Sequence, residues 1–242
     1  MTLGLMTDRG NSPLVRSLAL LTLAGAGVAT ALGVFAHMDA TADLNPLSWT
    51  ISDYAVSDRG GAMDTAMLVL GLSSLALPVA LWLRGCARRA LAVLLMVWAL
   101  GLVASAVVPT DPPGAPEMTF SGYTRRYVSV AAFVSLPFAG VLLLRAVPGM
   151  GRRVVRWLSA ASGAGLLVLL YVAFPGERVM MGLVERALVL TELALLAAMA
   201  LPLARRLDPA ARRLPAVPEM LPDPAPGDGW ERPRERELTM AC

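Results

Sequence analysis

Long apolar runs alternate with short polar clusters along the whole of this chain. Six runs approach the roughly 20 residues that a bilayer core demands. They lie at about residues 17–36, 65–83, 90–108, 127–144, 157–174 and 181–204. Helices are the expected form, because lipid cannot satisfy open backbone groups. The predicted fold class is therefore all-α, a polytopic six-transmembrane helix bundle over residues 1–207. The first run could be read as a signal peptide, since small residues follow it. Its length and the odd number of later spans favour a retained anchor. Pro78 and Pro137 are expected to kink their helices. Residues 208–242 are rich in proline and charge and read as a disordered cytoplasmic tail. Within it, Glu231 to Leu238 could form a short helix against a protein partner.

The polar stretch Asn45 to Asp64, NPLSWTISDYAVSDRGGAMD, is too polar to follow its neighbours into lipid. It carries Ser48, Asp53 and two aromatic anchors, Trp49 and Tyr54. A second polar loop runs from Thr110 to Arg126. The helices are expected to position these two loops.

Composition fits a membrane protein. Only 16% of the 242 residues are charged, against about 25% in soluble domains. The net charge of +3 does not point to nucleic acid, because the arginines sit at span ends. Arg16, Arg84, Arg88, Arg89, Arg145, Arg152, Arg153, Arg205 and Arg206 gather at one set of ends. Arg59, Arg125, Arg126 and Arg178 lie at the other. That bias predicts cytoplasmic termini and outward-facing polar loops. Cys86 and Cys242 fall in no metal or redox spacing. With one histidine, no zinc set is visible, and no nucleotide or hydrolase fingerprint is present. No cofactor and no metal are expected.

Charge inside a span is the more informative signal. The last run contains Glu185, Arg186 and Glu192. Glu185 and Glu192 share a face two turns apart, about 10 Å along the axis. Arg186 is expected to point about 100° away or to snorkel outward. Glu192 would be a neutral acid hydrogen-bonded to a neighbouring helix, or a site. Arg125 and Arg126, on the arginine-poor side, need partners. Asp53, Asp111 and Glu185 are the candidates, or a lipid phosphate. Asp53, Asp111, Glu185 and one of these arginines are expected to meet in one outer-leaflet cluster. His37 reads chiefly as a boundary residue.

NPLSWTISDYAVSDRGG after the first span resembles the signature of the bacterial Domain of Unknown Function 998 membrane family. PTDPPG at the end of the third span is similar to its second motif, and GLVERALVLTEL to its last-helix motif. The resemblance covers about residues 15 to 205 and implies a multi-pass protein of the bacterial inner membrane. The family's usual histidine at the start of the fourth span corresponds to Arg125 here, which weakens any histidine-based acid/base scheme. The ISD segment is also distantly similar to the Frag/DRAM/Sfk membrane family, linked to lipid handling.

Three functions stay open. One is binding of a lipid or amphiphile in an outward-facing pocket, with Arg125, Arg126, Tyr54, Trp49, Ser48 and Glu192 as ligand contacts. Another is an integral membrane enzyme acting on a lipid-like substrate, with Asp53 and Glu185 as acid and base and Asp111 orienting them. The third is a proton-coupled transporter with Glu192 as relay. Partners are expected to be membrane lipids or a lipid-like ligand and a helix-packing protein, not nucleic acid.

Overall fold

The structure, a computed structural model, describes residues 12–38, 47–54, 60–86, 88–111, 117–147, 152–176 and 179–205. The tail at 208–242 and residues 55–59 of the first polar stretch lie outside the described residues. The helices are α1 (Pro13–Met38), α2 (Ile51–Tyr54), α3 (Gly60–Ser74), α4 (Ala76–Leu83), α5 (Arg89–Val107), α6 (Phe120–Ala146), α7 (Arg152–Ala173) and α8 (Met181–Ala204). With α3 and α4 together making one span, six are long and apolar enough to cross a membrane. The chain is an all-α polytopic membrane protein.

The α3–α4 break lies at Leu75, three residues before Pro78. Proline has no N–H, so the Ser74 carbonyl loses its helical partner and the ladder slips. Neighbours supply bonds at the slip. Thr22 Oγ1 on α1 donates to the Ser73 carbonyl at 3.2 Å, and Trp98 Nε1 on α5 donates to Ser74 Oγ at 3.3 Å. Pro137 acts differently: α6 continues through it.

The ends of several spans extend past their apolar runs. α6 starts at Phe120 because Thr119 caps it: its side chain accepts from Gly122 N, filling one of the open donors of a first turn. Arg125 and Arg126 therefore sit on a helix, not in a loop. α5 stops where Val108 turns extended, at ψ 125°, the conformation a following proline favours.

Small residues let the backbones approach. A Cβ on Gly71 would meet the Ala99 carbonyl at 2.8 Å, and one on Gly101 the Val128 carbonyl at 3.0 Å. These contacts close α3 on α5 and α5 on α6. The core between them holds Leu77, Leu81, Leu95, Trp98 and Leu136, each no more than 1% exposed. In α7 Ala160 and Ala161 face outward. Its buried face is Val155, Ser159 and Ser162. At one end of the bundle Arg16 Nε on α1 donates to the Ala204 carbonyl of α8 at 3.2 Å. The segment with α2 covers the other end.

Candidate functional site

Residues 47–54 fold back over the bundle and are stitched to the start of α8. Thr50 and Asp53 form a reciprocal cap on α2. Asp53 Oδ2 accepts from Thr50 N and from Thr50 Oγ1, both at 2.7 Å. Thr50 Oγ1 in turn accepts from Asp53 N at 3.2 Å. This is a capping box with aspartate in the acidic position. Glu185 Oε2 on α8 takes the next open donor, Ile51 N, at 2.9 Å. Leu183 N donates to the Leu47 carbonyl at 3.2 Å.

Arg186 does not turn outward. Its Nη1 donates to the Trp49 carbonyl at 2.9 Å and to the Gly182 carbonyl at 2.8 Å. Its Nε donates to His37 Nε2 on α1 at 3.0 Å. With Nε2 accepting, Nδ1 is the nitrogen left to donate to the Gly33 carbonyl, at 2.6 Å. One guanidinium thus ties α1, α8 and the polar stretch together. Trp49 and Ile51 pack with Met63 and Ala36 beside it.

Beneath this polar cap lies a cavity of about 440 Å³. Its walls come from α1, α3, α5, α6 and α8, and include Ala29, Leu70, Trp98, Phe133 and Leu193. His37, Glu185 and Arg186 also line it. On its rim Val34 of α1 is 58% exposed and Leu190 of α8 is 60% exposed. α1 and α8 are bonded at both ends, through Arg16 and Arg186. The cavity therefore opens sideways between them, toward the surface that lipid would cover.

The other expected site residues lie elsewhere. Arg125 is 4% exposed; its Nη2 pairs with Asp64 Oδ1 of α3 at 2.9 Å and its Nη1 donates to the Val108 carbonyl at 2.9 Å. It joins α3, α5 and α6. Asp111 caps α6 from outside: Oδ2 accepts from Thr119 N at 2.9 Å and Oδ1 from Thr119 Oγ1 at 2.6 Å. Arg126 is exposed on α6. Ser48 is half-buried in the turn before α2, and Tyr54 ends α2. Glu192 is fully buried, and neither carboxyl oxygen has a hydrogen-bond partner. The four residues expected in one cluster are thus spread over three anchoring points. Glu185 and Asp53 share the α2 cap, Arg125 pairs with Asp64, and Asp111 with Thr119. The reason is that α6 starts early, which carries Arg125 below the loops to the level of Asp64.

Sequence reasoning undervalued His37, Arg186 and Asp64. A signal was present for two of them. Arg186 sits beside Glu185 in an apolar run, where an unpartnered arginine is costly. Asp64 opens the second apolar run, level with the start of the fourth.

A family model described as "Protein of unknown function (DUF998)" matches residues 23–202. No curated protein and no solved structure matches the chain. Among the described residues no group of three or more His, Cys, Asp or Glu side chains could hold a metal ion.

Proposed function

We propose that this chain, which belongs to the DUF998 family, binds a lipid or amphiphilic molecule in the cavity under α2. One observation carries the reading: an apolar chamber of about 440 Å³, open on its flank, with one polar end. That volume is in the range of small-molecule sites, which combine apolar walls with a few placed polar groups. An apolar chain would enter between Val34 and Leu190. A headgroup with both donors and acceptors would meet His37, Glu185 and Arg186. Asp53 and Asp111 have their carboxyl oxygens engaged in caps, which favours binding over acid/base catalysis by these two. With the arginine-rich ends in the cytoplasm of a bacterial cell, the cavity faces the outer leaflet.

Gly33 offers a direct test. It lines the cavity, and a Cβ there meets nothing within 4 Å. Gly33→Phe should fill the chamber without a backbone clash. The full chain, purified in mild detergent, should carry co-purifying lipid by native mass spectrometry, and Gly33→Phe should lose most of it. Gly27→Phe is the control, since Gly27 is also open but does not line this cavity. Equal lipid retention by both folded variants would sink the reading. For orientation, a cysteine at Gly61, with Cys86 and Cys242 replaced, should react with an impermeant reagent from outside the cell. Labelling only after lysis would place the cavity in the inner leaflet instead.

A further inference from the structure

A second polar site lies deeper, where α6, α7 and α8 meet. Three buried side chains there have polar atoms with no hydrogen-bond partner: Ser159 Oγ, Ser162 Oγ and both oxygens of Glu192. Ser159 is 4% exposed, and Ser162 and Glu192 are 0% exposed. Helix contacts fix their relative height. A Cβ on Gly140 would overlap Ser159 Oγ and touch Leu195. That sets Gly140 of α6, Ser159 of α7 and Leu195 of α8 at one level. Neighbouring spans in the α6–α7–α8 series run antiparallel. Three residues along, about 4.5 Å away at 1.5 Å per residue, the next level holds Pro137, Ser162 and Glu192. The contact of Gly165 with Leu188 one turn further confirms the register of α7 on α8.

Pro137 frees a fifth oxygen nearby. Lacking an N–H, it leaves the Phe133 carbonyl of α6 without its helical donor. The levels of Gly140 and Pro137 together therefore gather a carboxylate and two hydroxyls, with the freed carbonyl about one turn beyond them on α6. None of the described arginines reaches these groups: those of α7 lie at its start, and Arg186 is two turns above on α8. An all-oxygen set suits a hard cation. Freed carbonyls beside proline-broken or unwound helices hold such ions in membrane carriers. A proton on one carboxyl oxygen makes a single donor, which reaches one further acceptor. A metal cation draws several oxygens at once.

We infer that Glu192, Ser159 and Ser162 form a buried site for a sodium ion where α7 and α8 pack on α6. The ion neutralises the carboxylate and supplies the partner that each of these oxygens lacks. α7 buries Ser159 and Ser162 here, while its Leu167 and Leu170 face outward. The site is separate from the cavity under α2 and does not depend on what that cavity holds.

The test is radioactive sodium binding to the full chain in detergent micelles, beside thermal unfolding in sodium or choline chloride. Wild type should bind sodium saturably, at one ion per chain. Sodium but not choline should raise its melting temperature, since a ligand of the native state stabilises it. Glu192→Gln keeps the shape but not the charge and should abolish binding. Ser159→Ala with Ser162→Ala should weaken it by about tenfold or more, the order expected from lost polar contacts to a charge. That double variant also covers the case in which Glu192→Gln does not fold. No saturable binding by wild type would overturn the site and leave only trapped water or a permanently neutral acid. So would wild-type affinity in either folded variant.

Discussion

The α2 end and the Glu192 level each hold a carboxylate of the same helix, on the same face, yet they treat it differently. Glu185 accepts a backbone N–H at 2.9 Å, and the arginine beside it spans three elements. Glu192, two turns away, has no protein partner. The contrast comes from the backbone. At the α2 end the chain leaves one helix and begins another, so first-turn N–H groups are open. Mid-span, regular helices have consumed their donors in their own ladders. A proline can only free an acceptor there, never a donor. A carboxylate at a helix junction is therefore stapled, and one at mid-span is left without a backbone donor.

The largest effect is expected at the stapled end. Arg186→Met removes the donor to Trp49, Gly182 and His37 and should cost about 3 kcal/mol, the order seen when one partner of a buried polar pair is lost. Thermal unfolding in detergent measures it, and hydrogen exchange at residues 47–54 should rise at the same time. Wild-type stability would mean that the polar stretch is held by its apolar contacts, Trp49 and Ile51 on Met63, instead. Glu192→Met should move stability the other way. In sodium-free buffer it should gain about 2 kcal/mol, because a buried polar group without partners is replaced by one that needs none. A loss there as large as that of Arg186→Met would abolish the distinction between the two regions. The smallest effect belongs to Thr50→Ala. It takes one half of the cap on α2 and should cost about 1 kcal/mol, read as faster exchange of the Asp53 amide with little change in global unfolding. No change at that amide would leave Asp53 and Glu185 sufficient to hold α2 without the threonine.

Hydropathy and length determined the six spans, because the bilayer demands long apolar helices with no open backbone. The chain shows these six helices, and Pro78 announces the α3–α4 break. Charge in an apolar run likewise marked Glu185 and Glu192 as the residues needing an account. What each of them meets was decided by tertiary structure alone. A polar residue in a sequence states a need, but its partner is set by helix register and by where a cap starts the next helix. Thr119 starts α6 early, and that carried Arg125 to Asp64 instead of to Asp111 or Glu185. The return of residues 47–54 over the bundle turned Arg186 inward, onto His37 and the Trp49 carbonyl. The inward serines of α7 were hidden for the same reason: a lipid-facing helix and a packed one share a composition, and only the register against Gly140 and Leu195 shows which face is buried.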